Sequence, residues 1–118
     1  MEVGIYIRRD PDTVRGADVA ILSKERAPDG PSTGFLEMAP EVVIEVMSSS
    51  DRWQDLRGKI EDYFSIDVCQ VWVVEPELRN VLVFDSPTTM RKFTETDVFK
   101  ADGVLTGFSL KVSDLFDG

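Results

Sequence analysis

The chain has 118 residues, 42% hydrophobic and 30% charged, which suits one soluble globular domain over residues 1–118 and is too short for two. It carries 22 acidic and 13 basic residues, a formal charge of -9, and such a balance disfavours a stand-alone DNA binder that works by displacing counterions. Without histidine there is no imidazole metal site and no His-based acid/base catalysis, and the single Cys69 excludes an intrachain disulfide.

A metal would therefore need oxygen ligands, as magnesium, manganese and calcium do. No apolar run approaches the roughly 20 residues that span a bilayer, and MEVGIYIRRD lacks the apolar centre of a signal peptide. The expectation is a cytoplasmic protein with no membrane partner. The charge is uneven: Arg8, Arg9 and Arg15 lie near the start, Arg52, Arg57 and Lys59 in the middle, and Asp114 and Asp117 at the acidic end.

Residues 3–7, VGIYI, read as a strand, followed by the turn-rich RRDPDTVRG; residues 18–22 in ADVAIL read as a second strand. ERAPDGPSTG, residues 25–34, holds two prolines and two glycines and is expected to be a loop. Residues 42–47 are apolar on both faces, as in a strand buried within a sheet, and Ser49, Ser50 and Asp51 offer N-caps for a helix over about residues 52–65. Trp53, Leu56, Ile60, Tyr63 and Phe64 form the apolar stripe of that helix.

Two further strands follow, residues 70–74 and 80–85, joined by a tight turn through PELR. Cys69, beside the apolar VWVV, reads as a small core residue, and Glu75 as a turn residue near the sheet edge. MRKFTE is another strand candidate, and SLKVSDLF a short helix or turn. A strand, a helix and a second apolar strand predict parallel pairing of residues 42–47 with 70–74 through a right-handed crossover. The expected fold class is α/β, a mixed sheet with the central crossover helix packed on one face.

Polar residues on this frame suggest chemistry. Asp18 heads one apolar strand and Glu45 lies inside another, so the sheet is expected to bring the two carboxylates together. Close carboxylates repel unless a cation lies between them, which is how oxygen-ligand magnesium sites are built. Lys59, on the following helix, is the natural ammonium to orient a water or stabilise developing negative charge. Plainer roles stay open: a turn cap for Asp18, an exposed helical pair with Asp55 for Lys59, and for Glu45 an ion pair to Lys59 or Arg57 that only fastens the helix.

The segments ADVAIL, PEVVIEVMSSSDRWQDLRGKIEDYF, VWVVEPELRNVLVF and LTGFSLKVSDLF, which cover nearly all of the chain, also carry a resemblance. Together they resemble the Uma-two family of restriction endonuclease-like proteins, a branch of the PD-(D/E)XK nuclease superfamily. The resemblance implies a restriction endonuclease-like fold and Asp18 and Glu45 as ligands of Mg²⁺ or Mn²⁺, with the carbonyl of Val46 as a third. The lysine is displaced from the position two after the glutamate, which is Met47 here, to the helix, so Lys59 is implied as the catalytic cation. The chain departs from the family's pattern at Ala17, where a proline is usual, and at Ser48 to Ser50, where Ser-Pro-Ser is usual. The resemblance also implies a chain that is short at its N-terminus, where relatives supply a further acidic residue.

The function implied is Mg²⁺-dependent hydrolysis of DNA phosphodiester bonds. Two alternatives stand beside it: a non-catalytic remnant of the nuclease fold that dimerises or binds a partner, and a phosphohydrolase acting on small nucleotides. A homodimer is expected, because several strands with apolar faces in so short a chain leave surface to cover.

Overall fold

The computed structural model describes residues 3–8, 12–28, 36–100 and 109–117. Strands β1 (Val3–Arg8) and β2 (Thr13–Ala17) form an antiparallel hairpin in which Val3 lies opposite Ala17, with a bulge between Tyr6 and Arg8. Then come β3 (Val19–Ile21), β4 (Val42–Val46), helix α1 (Trp53–Ser65), β5 (Gln70–Glu75), β6 (Asn80–Ser86) and β7 (Thr89–Thr94). These five strands make one sheet in the order β3-β4-β5-β6-β7, parallel only between β4 and β5. β8 (Val98–Lys100), β9 (Ser109–Lys111) and the short α2 (Val112–Asp117) follow. The expected parallel pairing of β4 with β5 across α1 and the mixed α/β sheet are both present.

Alternation along the strands divides the sheet into two faces. One face carries Val43, Val71, Val73 and Leu82 against Leu56, Ile60 and Tyr63 of α1, and the buried Ile5, Ile7 and Ala17 of the hairpin join this core. The opposite face carries Val42, Trp72, Val81 and Val83 against Phe99 and Val112. Phe99 there meets Trp72 and Phe93 edge to face, at centroid distances of 4.9 and 5.0 Å. Among the described residues no helix is long and apolar enough to cross a membrane.

Helix α1 begins where the sequence places it, but its cap differs. Arg52 is the extended N-cap residue and makes no side-chain cap bond, while the Asp51 carboxylate turns back to accept the Ser48 N–H at 2.7 Å. At the other end the N–H groups of Ile66 and Val68 both return to the Tyr63 carbonyl, and Asp67 takes the left-handed conformation with φ of 74°. Asp tolerates that region better than most side chains, so it can close the helix where glycine is usual.

Several expectations are corrected. Residues 13–17 of the turn-rich segment form β2, because β1 supplies a hairpin partner and Arg15 is fastened to α1 by a 2.7 Å ion pair with Asp62. Cys69 is exposed, since it precedes β5, where its N–H donates to the Glu41 carbonyl at 2.8 Å and its Sγ accepts from the Arg26 guanidinium at 3.5 Å. Glu75 ends the central strand rather than lying near an edge. SLK is a strand and VSDLFD a helix, and β8 is an element that composition alone does not signal. Of the expected loop, residues 25–28 are turn and irregular backbone, and 29–34 lie outside the described residues.

Glu41, just before β4, is a second buried glutamate, 4% exposed. Its Oε1 accepts the Ser23 N–H at 2.9 Å, and Arg26 Nε lies 3.7 Å from Oε2. Burial pushes its carboxyl up, but the hydrogen bonds from Ser23 and the Arg26 charge outweigh this and hold it below its ordinary value. Arg26 also donates to the carbonyls of Ala39 and Asp67, both at 3.0 Å. Glu41 and Arg26 therefore tie the segment after β3 to the turn after α1.

Candidate functional site

The site forms where β4 ends, β3 begins and α1 passes over the sheet. Glu45 belongs to the α1-facing row of β4 and is 5% exposed. A carboxylate so placed needs donors, because its own desolvation opposes ionisation. Tyr63 O–H donates to Oε1 at 2.8 Å, and Lys59 Nζ lies 3.0 Å from the same oxygen. Both contacts fall on the same oxygen, Oε1.

Lys59 and Tyr63 are four residues apart on α1, so their side chains leave the same face. Both also reach the end of β2. Lys59 Nζ donates to the Gly16 carbonyl at 2.6 Å, and the Tyr63 hydroxyl stands 3.4 Å from that oxygen. Arg15 and Arg8 add ion pairs to Asp62 at 2.7 and 3.8 Å, so the hairpin is held to the helix by charge as well as apolar contact. The exposed helical pair with Asp55 is not what Lys59 adopts.

Asp18 follows β2 directly and sits at the bend before β3. The antiparallel register sets Val19 opposite Ile44, and one step further sets Asp18 opposite Glu45. The backbone completes this arrangement. Met47 gives its N–H to Val74 of β5 at 2.8 Å, so Val46, one residue earlier, turns its N–H and C=O to the other side. There the Val46 N–H donates to Asp18 Oδ2 at 2.7 Å, which fixes the carboxylate beside Glu45.

Asp18, Glu45, Val46 and Lys59 are thus brought to one place, beside a cavity of about 130 Å³ whose walls include Glu45, Val46, Lys59, Ser50 and Asp51. Sequence reading missed Tyr63 and Gly16. Tyr63 was legible only as a core aromatic, yet its position four residues after Lys59 carried a signal, since a buried phenol needs a hydrogen-bond partner. Gly16 contributes through its carbonyl, which no side-chain pattern reveals.

The groups that could hold a metal here are two carboxylates and a backbone carbonyl, all oxygen, without nitrogen or sulfur. Such a set suits a hard divalent cation whose remaining positions are filled by water. It does not reach three clustered acidic or thiol side chains anywhere among the described residues.

Electrostatics give the site a testable pH signature. Burial pushes the Glu45 carboxyl above its ordinary value, and the nearby Asp18 charge adds to this, while Lys59 and Tyr63 only partly offset it. A raised acid contributes stability that is present below its unfolded value and is lost as pH rises through its folded value. Glu45→Gln removes that loss. Urea denaturation of the metal-free protein at pH 5 and pH 8 should show the variant gaining stability relative to wild type as pH rises; a constant difference would contradict the assignment.

Comparison with known proteins bears on the family and the fold. A family model described as "Uma2: Putative restriction endonuclease" matches residues 1–113. Among solved structures, the fold is similar to a protein of Anabaena variabilis ATCC 29413 described as a "putative nuclease belonging to DUF820". The TM-score is 0.75 at 17% identity, over 98% of this chain and 64% of that one, a likeness of fold. The chain thus spans just under two thirds of the length of that structure. No curated protein matches the chain. With the family model covering all but the last five positions, the chain belongs to the Uma2 family of restriction endonuclease-like proteins.

Proposed function

We propose that the chain is a divalent-cation-dependent nuclease domain that hydrolyses phosphodiester bonds of DNA. The observation that carries this reading is the meeting of Asp18, Glu45 and Lys59 at the end of β4, with the ammonium supplied by α1 at 3.0 Å from Glu45. Asp18 and Glu45, with the Val46 carbonyl, would hold Mg²⁺ or Mn²⁺. When bound, such an ion polarises a phosphoryl oxygen and lowers the pKa of a bound water.

The chain's own residues account for the rest. Lys59 orients the attacking water and offsets the negative charge that grows on the phosphoryl oxygens. The attacking water releases a proton to solvent as its oxygen forms the new P–O bond, the bond to the leaving sugar oxygen breaks, and that oxygen leaves with a proton from solvent. Products are a phosphate monoester and a hydroxyl. The exposed Arg52, which lines the same cavity as Glu45 and Lys59, gives a cationic contact beside the site of this acidic chain.

Calorimetric titration with Mn²⁺ should give saturable binding in the wild type and none in the Asp18→Ala, Glu45→Ala double variant; equal binding in both would overturn the ligand assignment. Mg²⁺-dependent DNA cleavage should fall about a hundredfold or more in Lys59→Ala. A wild type that binds the ion but does not cleave would instead assign the chain to the non-catalytic form of the fold.

A homodimer belongs to the same reading. Val19, Ile21, Ile44, Val46 and Val74 project from the sheet face away from α1, and Val19 and Val46 are 44% and 46% exposed. With Leu110 and Leu115 several of them border an apolar cavity of about 300 Å³. Pairing this face with its copy covers apolar surface while leaving the acidic surface in water. Sedimentation at micromolar concentration should show a dimer that Val46→Lys dissociates; a wild-type monomer would exclude it.

A further inference from the structure

Tyr63 is fully buried, and nothing in the proposed chemistry uses it. Its ring alone would serve the core as well as phenylalanine, so the hydroxyl needs its own explanation. That hydroxyl sits 2.8 Å from the Glu45 oxygen that Lys59 also approaches, and 3.4 Å from the carbonyl that Lys59 also uses. Four groups therefore form one closed cluster: the Glu45 carboxylate, the Lys59 ammonium, the Tyr63 phenol and the Gly16 carbonyl.

The donor count gives the cluster a direction. Tyr63 and Lys59 both converge on Oε1, so these two donors anchor the carboxylate through one oxygen. A carboxylate anchored in this way has lost its freedom to rotate before any ion arrives, which is how outer partners orient the ligands of a metal. The Lys59 ammonium is fixed in the same step, because Gly16 accepts from it and Tyr63 stands beside that acceptor. Burial and the neighbouring Glu45 charge push the Tyr63 phenol well above its ordinary value, so it remains a donor at any working pH.

We propose that Tyr63 is a positioning residue of the site: through Oε1 of Glu45 and the Gly16 carbonyl it holds the cation ligand and Lys59 in working register. This rests on the reading of Asp18 and Glu45 as a cation site. It acts on the carboxylate and the ammonium, not on the substrate. Loss of the hydroxyl should therefore weaken cation binding and turnover while leaving substrate affinity unchanged.

Tyr63→Phe keeps the buried ring and removes only the hydroxyl. Mn²⁺ affinity by calorimetry is expected to fall about tenfold, and kcat for DNA cleavage by a similar factor, with KM for DNA unchanged. A second measurement needs no substitution at this position. The chain has two tyrosines, so the Cζ resonances of ¹³C-labelled tyrosine can be followed as Mg²⁺ is added. The Tyr63 resonance, identified with Tyr6→Phe, should shift in proportion to occupancy, while that of Tyr6 stays in place. Wild-type cation binding that leaves the Tyr63 resonance unmoved and is undiminished in Tyr63→Phe would overturn the role of Tyr63 alone. Absence of any cation binding to the wild type would overturn the site reading beneath it as well.

Discussion

Burying a carboxylate in an apolar sheet costs several kcal/mol unless donors replace the water it loses, and the centre of this molecule is organised around meeting that demand for Glu45. Two donors come from α1, at positions four residues apart. The helix can deliver both only if it crosses the sheet at the height of the β4 terminus and turns the Lys59–Tyr63 edge toward β2. The same edge binds the Gly16 carbonyl, so the compensation of one carboxylate fixes three elements relative to one another. Removing a single partner from so compact a cluster leaves another group buried without its complement, which is why such clusters are sensitive to truncation.

Asp18 enters this frame through the backbone. It is carried by the hairpin that Lys59, Tyr63 and the Arg15–Asp62 pair bind to the helix, and it is fastened to β4 by the Val46 N–H. Its place opposite Glu45 is thus a consequence of strand register and hairpin docking together. The oxygen-rich corner that results is the feature on which the proposed cation site rests. Fold and site are linked here by few residues, and those residues lie between Arg15 and Tyr63.

Much of this was legible in the sequence where pattern and physics coincide. The apolar run over Val42–Val46, the helical stripe from Trp53 to Phe64 and the two following strands have strong periods, and their order implied the parallel pair. β2 was hidden because TVRGA has little strand character of its own and depends on β1 and on Asp62. Cys69 was misplaced because an apolar neighbourhood in sequence does not tell which side of a strand entrance meets water. Glu41 shows the limit of reading a site from burial alone: it is as buried as Glu45, yet the Ser23 backbone and Arg26 engage both of its oxygens in holding loops together. What separates the two glutamates is the identity and direction of their partners, and those are properties of the folded chain.

Anomalous diffraction from crystals grown with Mn²⁺ tests the central claim most directly. The cluster around Oε1 of Glu45 should remain intact and an anomalous peak should stand about 2.0 to 2.4 Å from Oε2 of Glu45 and from an Asp18 carboxylate oxygen, with the Val46 carbonyl beside it. Manganese bound only at other carboxylates, with Glu45 still enclosed by Lys59 and Tyr63 and no peak against Oε2, would show that this glutamate fastens the helix to the sheet and does nothing more.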